Sequence, residues 1–360
     1  MSGWKRIDPG PMFPDARPEL PIGTVLKPEP YRIVQKIGDG PYSVVYLADD
    51  LDRGTRVVLK RLRGQNSPEL MKRFEREARI MKKVVHRNIV QLLGYFILKD
   101  FGHFIVMEYI KGERLDAFVE RVCPLGKQLP LKLILHIMEN LLEALEVIHD
   151  NNFVHRDIKP QNIMLIARSD RLPDVRLMDF GVAKVLGGNA PGTYPGLTSR
   201  NIQFGNLFPI GSAEFMAPEQ IETQDHEGVL PTTDIYAMGV LLFYLLTGVP
   251  PFVADEGDVN GCNIMAKHVK NDPPNIRILR DDIPEGLAGS LEKAMDKRQA
   301  RRFWNAKEFL SAIREITGPL LPVIVAEPRT LRGFQIPRPR TDSVAPTGSV
   351  TQRPMPFRKP

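Results

Sequence analysis

Residues 153–165 read Phe-Val-His-Arg-Asp-Ile-Lys-Pro-Gln-Asn-Ile-Met-Leu. His155, Arg156, Asp157, Lys159 and Asn162 are crowded between two apolar runs. A solvated turn accounts for some of this charge. It does not account for the flanks, which hold the polar groups near a core where they need partners. Thirteen residues past Leu165 comes Met178-Asp-Phe-Gly181, then Met216-Ala-Pro-Glu219 and Asp234-Ile-Tyr-Ala-Met-Gly239.

Working upstream, Ile37-Gly-Asp-Gly-Pro-Tyr-Ser-Val-Val45 sets two glycines between strand-like runs. A side chain at either glycine would hinder close approach of the backbone to an anion. Alone, such a turn is also an ordinary hairpin. Val57-Val-Leu-Lys60 ends an apolar strand on a lysine, which alone reads as a snorkelling edge residue. Ser67 and Pro68 form a helix start, and Phe74, Ala78, Met81 and Val85 mark that helix's apolar face. Glu77 shares the face. An inward carboxylate needs a cation, and Lys60 is the natural candidate; the alternative is a solvated Glu77 at the edge of the stripe.

The rest of the chain sorts into two lobes. Residues 31–37, 44–48, 56–60, 89–98 and 104–109 are predicted strands, the first three as a small antiparallel sheet. After Gly112 the period becomes helical. Ile134, Ile137, Leu141, Leu145 and Ile148 form a buried stripe. Residues 235–246 are apolar on nearly every face and read as a core helix, stopped by Gly248, Pro250 and Pro251. The last predicted helix is 306–316, with Gly318 and Pro319 as its stop. The expected organisation is an extended Pro-rich leader (1–30), a sheet-rich lobe (31–111), a helix-rich lobe (112–317) and a disordered basic Pro/Arg-rich tail (318–360).

Composition narrows the function classes. The chain's formal charge is +6, of which residues 319–360 carry +5, so the body is nearly balanced and nucleic acid is not an expected partner. The longest apolar run is far short of a membrane span, and residues 1–20 lack the apolar core of a secretory signal. Cys123 and Cys262 are the only cysteines, which excludes a disulfide scaffold and suits a reducing, cytoplasmic setting. Oligomeric state is not legible.

Taken in order, the glycine loop, strand lysine, helix glutamate, His-Arg-Asp, Asp-Phe-Gly and Ala-Pro-Glu resemble the eukaryotic-type protein kinases, in the bacterial-style Ser/Thr branch. The resemblance covers about residues 31–316 and implies an α+β, bilobal fold: a small antiparallel N-lobe sheet with one helix, and a larger, mainly helical C-lobe. It also implies ATP and Mg2+ as cofactors and protein serine or threonine hydroxyls as acceptors, the Asp-x-Lys-Pro-x-Asn filling around Lys159 being that of Ser/Thr kinases. By the same resemblance, Ile37, Gly38, Asp39, Gly40, Ser43 and Val45 cover the nucleotide. Lys60, held by Glu77, takes the α/β phosphates. Met107 is the gatekeeper, and Glu108, Tyr109 and Ile110 are the hinge reading adenine. Asp157 orients or accepts the substrate hydroxyl proton, Lys159 neutralises the migrating phosphoryl group, and Asn162 and Asp179 bind magnesium. Arg302 pairs with Glu219.

The chain departs from the family pattern in four places. Ser43 replaces the third loop glycine, Gly211-Ser212 stands where Gly-Thr is usual, and Asp179 to Glu219 is a long 41-residue stretch. Residues 296–301 lack the usual Asp-Pro. The alternative readings are a nucleotide-binding pseudokinase scaffold and a small-molecule kinase. Presence of Lys60, Asp157 and Asp179 argues against the first, and the Ala-Pro-Glu segment against the second. By resemblance, Arg156 pairs with a phosphorylated residue of the following segment, Thr198 or Ser199 being favoured over Thr193. The alternative is that Arg156 meets a carboxylate or carbonyl.

Overall fold

In the computed structural model, which describes residues 19–40, 43–63, 78–79, 81–123, 128–179, 213–222, 228–255 and 261–325, the early β-branched runs pair into a six-stranded antiparallel sheet. Its strands are β1 (Val25–Leu26), β2 (Tyr31–Asp39), β3 (Ser43–Asp50), β4 (Thr55–Leu62), β5 (Leu92–Leu98) and β6 (Gly102–Glu108), in the order β1-β2-β3-β4-β6-β5. Strand alternation buries both faces. Ile33, Tyr46, Val57, Leu59 and the stacked Phe96–Phe104 pair (4.8 Å) fill one side, and Leu62, Ala78, Met81, Leu92 and Ile105 fill the other.

Register places the expected nucleotide-side residues in one row. Gly38 is opposite Val45, Val45 opposite Lys60, and Lys60 opposite Ile105. Directly paired residues share a face, so Val45, Lys60 and Ile105 point the same way.

Strand limits differ from expectation by more than two residues in two places. The sheet starts at Val25, inside the stretch read as leader, because Leu20 and Leu26 are buried in the sheet's core. Two isolated leucines give no periodicity to read. Strand β5 starts at Leu92 instead of 89, because residues 88–90 pair elsewhere: Val90 N–H donates to Leu177 O (2.8 Å) and Leu177 N–H to Asn88 O (2.7 Å).

The C-terminal part contains β7 (Glu113–Arg114), α1 (Leu115–Val122), α2 (Leu131–Asp150), β8 (Ile163–Ile166) and β9 (Asp174–Leu177). The helices α3 (Pro218–Glu222), α4 (Pro231–Thr247), α5 (Cys262–Lys270), α6 (Ile276–Leu279), α7 (Glu285–Ala294) and α8 (Ala306–Val325) follow. Strands β7-β8-β9 form a small second sheet. The five stripe residues of α2 are fully buried, each contributing about 1.5–3 kcal/mol by leaving water. Helix α4 is buried almost all round, and Gly248 caps it in the left-handed conformation (φ 82°). Gly239 on α4 is required by packing: a Cβ there would lie 2.7 Å from Met295 and 3.0 Å from Ala294 of α7.

Helix α8 corrects a second expectation. It does not stop at Gly318 and Pro319 but runs through them to Val325. Proline removes one main-chain donor, yet its fixed φ near −65° is itself helical, so the pair weakens a helix without reversing it. Residues 1–326 form one compact unit and 327–360 a second; the second lies outside the described residues. Among the described residues, no helix is long and apolar enough to cross a membrane.

Candidate active site

The glycine loop is anchored by charge. Arg63 reaches the Asp39 carboxylate with Nη2 and donates from Nε to Gly40 O (3.1 Å), while Lys36 lies 2.5 Å from Asp39 and 2.5 Å from Glu19. Burial alone would raise the Asp39 pKa; Lys36 and Arg63 outweigh it and hold the carboxyl below its ordinary value. Asp39 is thus engaged by two side chains of its own lobe. A Cβ at Gly38 would come within 3.3 Å of Val45, so glycine fits tight strand packing there, whereas at Gly40 the nearest atom is an ordinary 3.6 Å away. Ser43 is buried and Ile37 exposed.

Lys60 is the first residue to cross between sheets. Its Nζ donates to Asp179 Oδ1 at 2.8 Å, with the side chains only 12% and 31% exposed. Glu77, its expected partner, lies outside the described residues. Asp179 follows β9 in the left-handed region (φ 59°), which aspartate tolerates better than most residues.

The segment 155–162 supplies the other groups. Asn162, in a 3-10 turn over Pro160–Asn162, donates from Nδ2 to Asp157 O (2.7 Å) and Asp157 Oδ2 (2.9 Å). Lys159 Nζ lies 3.1 Å from Asp157 Oδ2. Met178 N–H donates to Asn162 O (2.9 Å), joining this loop to the residue before Asp179. Lys60–Asp179 and Asn162–Asp157–Lys159 are therefore two contact groups, joined through the main chain by the Met178–Asn162 bond. With its nitrogen committed to Asp157, the Asn162 amide presents only Oδ1 to a cation. That oxygen and the Asp179 carboxylate are hard donors, which suit magnesium. Among the described residues no group of three His, Cys, Asp or Glu could hold a metal unaided.

Met107 packs on the Leu62–Met81–Ile105 cluster. Glu108 closes β6, exchanging bonds with Gln91: its N–H donates to Gln91 O (3.0 Å) and its Oε1 accepts from Gln91 N–H (2.8 Å). Tyr109 and Ile110 follow directly.

The loop is held from below by residues to which sequence reasoning gave no role. Asp234, fully buried in the first turn of α4, accepts from His155 N–H (2.7 Å), Arg156 N–H (2.8 Å) and His149 Nε2 (2.9 Å). Burial pushes its pKa up, but these bonds and the nearby histidines outweigh burial and keep the carboxyl below its ordinary value. Gln220 Nε2 donates to Arg156 O (3.1 Å). The signal that could have found Asp234 is a lone carboxylate opening an otherwise apolar core helix. The expected Glu219–Arg302 pair is present, buried and bidentate, at 2.7 and 2.9 Å. Thr193, Thr198, Ser199, Gly211 and Ser212 lie outside the described residues, so the expected contacts of that segment do too.

Comparison with known proteins agrees with this architecture. Residues 31–310 match the protein kinase domain model. The chain is 33% identical over 290 residues to the serine/threonine-protein kinase PrkC of Bacillus subtilis, covering 79% of this chain and 40% of that protein. It is 30% identical over 334 residues to the serine/threonine-protein kinase pkn3 of Myxococcus xanthus, covering 91% of this chain and 57% of that one. The chain thus spans well under two thirds of these relatives. The crystal structure of the Mycobacterium tuberculosis PknI kinase domain shares the fold, with a TM-score of 0.59 and 23% identity over 82% of this chain and 99% of that domain.

Proposed function

The chain belongs to the protein kinase family, and from that premise we propose that it transfers the γ-phosphoryl group of ATP to serine and threonine hydroxyls of proteins. The observation that carries the reading is that the Lys60–Asp179 pair and the Asn162–Asp157–Lys159 group are brought together, joined by the Met178–Asn162 main-chain bond. Phosphoryl transfer needs little covalent chemistry from the protein; positioning and charge do most of it. Asp157 accepts or orients the acceptor hydroxyl's proton. Its carboxylate is aimed by Asn162 and lies beside Lys159, whose ammonium is then placed to neutralise the phosphoryl group in transfer. Lys60 holds the α/β phosphates, and residues 37–45 cover them. Asn162 and Asp179 would hold Mg2+, which when bound offsets phosphate charge.

A pseudokinase scaffold would have lost one of Lys60, Asp157 or Asp179, and all three are present and linked. The nearly balanced body gives no reason to expect nucleic acid as a partner, and the two-cysteine composition suits the cytoplasm. Phosphorylation of Thr198 or Ser199 would supply an anion to Arg156 and order the segment between Asp179 and Glu219. The test is incubation of purified protein with labelled ATP and magnesium, with and without a generic basic protein. Phosphoserine or phosphothreonine is expected. Nucleotide binding without transfer to any protein would favour the scaffold reading.

A further inference from the structure

The glycine loop is anchored from the face of the sheet away from Lys60. Directly paired residues share a face. Asp39 is opposite Val44, which is buried in the Ile33–Tyr46–Phe104 core. Lys36, opposite the buried Tyr46, shares that outer face. Val45 and Lys60 belong to the other side. The Asp39 carboxylate therefore lies opposite to the Lys60 ammonium, where it meets Arg63 and Lys36.

Arg63 follows directly on β4 and reaches across β3 to the end of β2. Its side chain is only 9% exposed. A guanidinium held out of water needs acceptors for its N–H groups, and two of them belong to the loop. The Asp39 carboxylate takes Nη2, and Gly40 O takes Nε (3.1 Å). Gly40 N–H in turn donates to Ser43 O (2.9 Å). Both main-chain groups of Gly40 are thereby used, one within the loop and one by Arg63. The β2–β3 ladder ends at Asp39 and Val44, so Gly40 lies beyond its reach, and a glycine released from such bonds samples the widest range of conformations.

The second cation on Asp39 is fixed as well. Lys36 lies 2.5 Å from Glu19, and the neighbouring Leu20 is buried in the outer-face core and donates its N–H to Tyr46 Oη (3.3 Å). The base of the loop is tied on one side to the end of β4 and on the other to the segment preceding the sheet.

We propose that Arg63 is a positioning residue for nucleotide binding, holding the main chain of residues 39–40 in the pose that covers the phosphates. The inference rests on the kinase reading above. A loop ordered in advance removes a cost that the nucleotide would otherwise meet on binding. That cost falls before transfer and applies equally to the ground and transition states, so its effect belongs in KM and not in kcat. A tie that only stabilised the sheet would lower the unfolding midpoint and leave the KM for ATP where it was.

The test is steady-state kinetics of the full chain with ATP varied, magnesium in excess and a generic basic protein as acceptor, beside equilibrium binding of ATP. Arg63→Met should raise both the KM and the Kd for ATP at least about fivefold and change kcat less than about twofold. Asp39→Asn, at a side chain 39% exposed, preserves shape and should raise both constants about threefold; it decides the matter alone if Arg63→Met fails to fold. The double variant should fall clearly short of the product of the two single effects, because the residues act through one contact. Unchanged constants in Asp39→Asn, a fall in kcat as large as the rise in KM, or fully multiplicative effects overturn the assignment. A wild type that binds ATP without transferring phosphate refutes the kinase reading only, since the Kd comparison still reads the clamp. A wild type that binds no ATP overturns both.

Discussion

Arg302→Lys keeps the charge of the buried Glu219–Arg302 pair and is nevertheless expected to be severely destabilising. All five guanidinium N–H groups are used. Nε donates to Asp296 O (2.7 Å), Nη1 to Glu219 Oε1 (2.7 Å) and Thr232 O (3.0 Å), and Nη2 to Glu219 Oε2 (2.9 Å) and Lys297 O (3.1 Å). The side chain is 0% exposed, so water cannot take over. Lysine has three donors diverging from one point, against five acceptors set around a plane. At least two acceptors lose their partner, each at about 1–3 kcal/mol, giving a loss of about 4 kcal/mol, or roughly a thousandfold in the folding equilibrium. Arg302→Met should be worse, because it removes both guanidinium bonds of the buried Glu219 carboxylate, and breaking a buried pair costs about 3–5 kcal/mol beyond the orphaned carbonyls. Urea unfolding followed by far-ultraviolet circular dichroism reads both. At a slope of about 3 kcal/mol/M the lysine variant's midpoint should fall by about 1.3 M. A fall below about 0.3 M would refute the donor count.

Three further outcomes follow from the same geometry. Asp157→Asn should keep nucleotide affinity and lose transfer by about 10²-fold or more, read by equilibrium nucleotide binding beside a turnover assay; comparable turnover would remove Asp157 from the chemistry. Asp234→Asn turns an amide N–H towards main-chain donors and should cost about 3 kcal/mol. Because the Asp234 pKa is depressed on folding, its contribution is fully present above about pH 4, the unfolded carboxylate range, and is lost as pH falls through the lower folded value. The wild type should therefore lose stability below pH 4 more steeply than the asparagine variant in acid-urea titrations, and parallel curves would contradict this. Truncation after Ala326 should leave stability unchanged, whereas truncation after Gly318 frays the turn carrying Ile316, which packs on the C-terminal core, at a cost of about 1 kcal/mol by thermal unfolding; equal losses would mean the last turns of α8 contribute nothing.

What the sequence disclosed and what it withheld divide along a physical line. The α2 stripe was legible because its burial follows the helical period, and strands β2 to β4 and helix α4 because unbroken apolar or β-branched runs between turn residues mark buried elements in one dimension. The grouping of Asp157, Lys159 and Asn162 was legible because these residues are close in sequence as well as in space. The Lys60–Asp179 contact joins residues 119 apart, and no spacing rule relates a strand end in one sheet to a loop beyond another. The extension of α8 was misread because a Gly-Pro pair is a statistical stop, while the proline's own φ remains compatible with the helix.

Asp234, quoted from the sequence without a role, and Gln220, which was not singled out, bond to main-chain atoms, and every residue offers the same main-chain atoms. Their effect falls on Arg156, whose φ of 65° is unfavourable for a side chain of its size and costs about 1–3 kcal/mol. Asp234 takes the N–H of Arg156 at 2.8 Å and Gln220 its carbonyl at 3.1 Å. A hydrogen bond to a buried carboxylate contributes about 1.5–3 kcal/mol. Asp234 also takes the N–H of His155, so together these bonds exceed the strain. The position of Asp157, one residue on, is therefore dictated by the first turn of α4 and by α3, both rooted in the C-terminal core through Glu219 and Arg302.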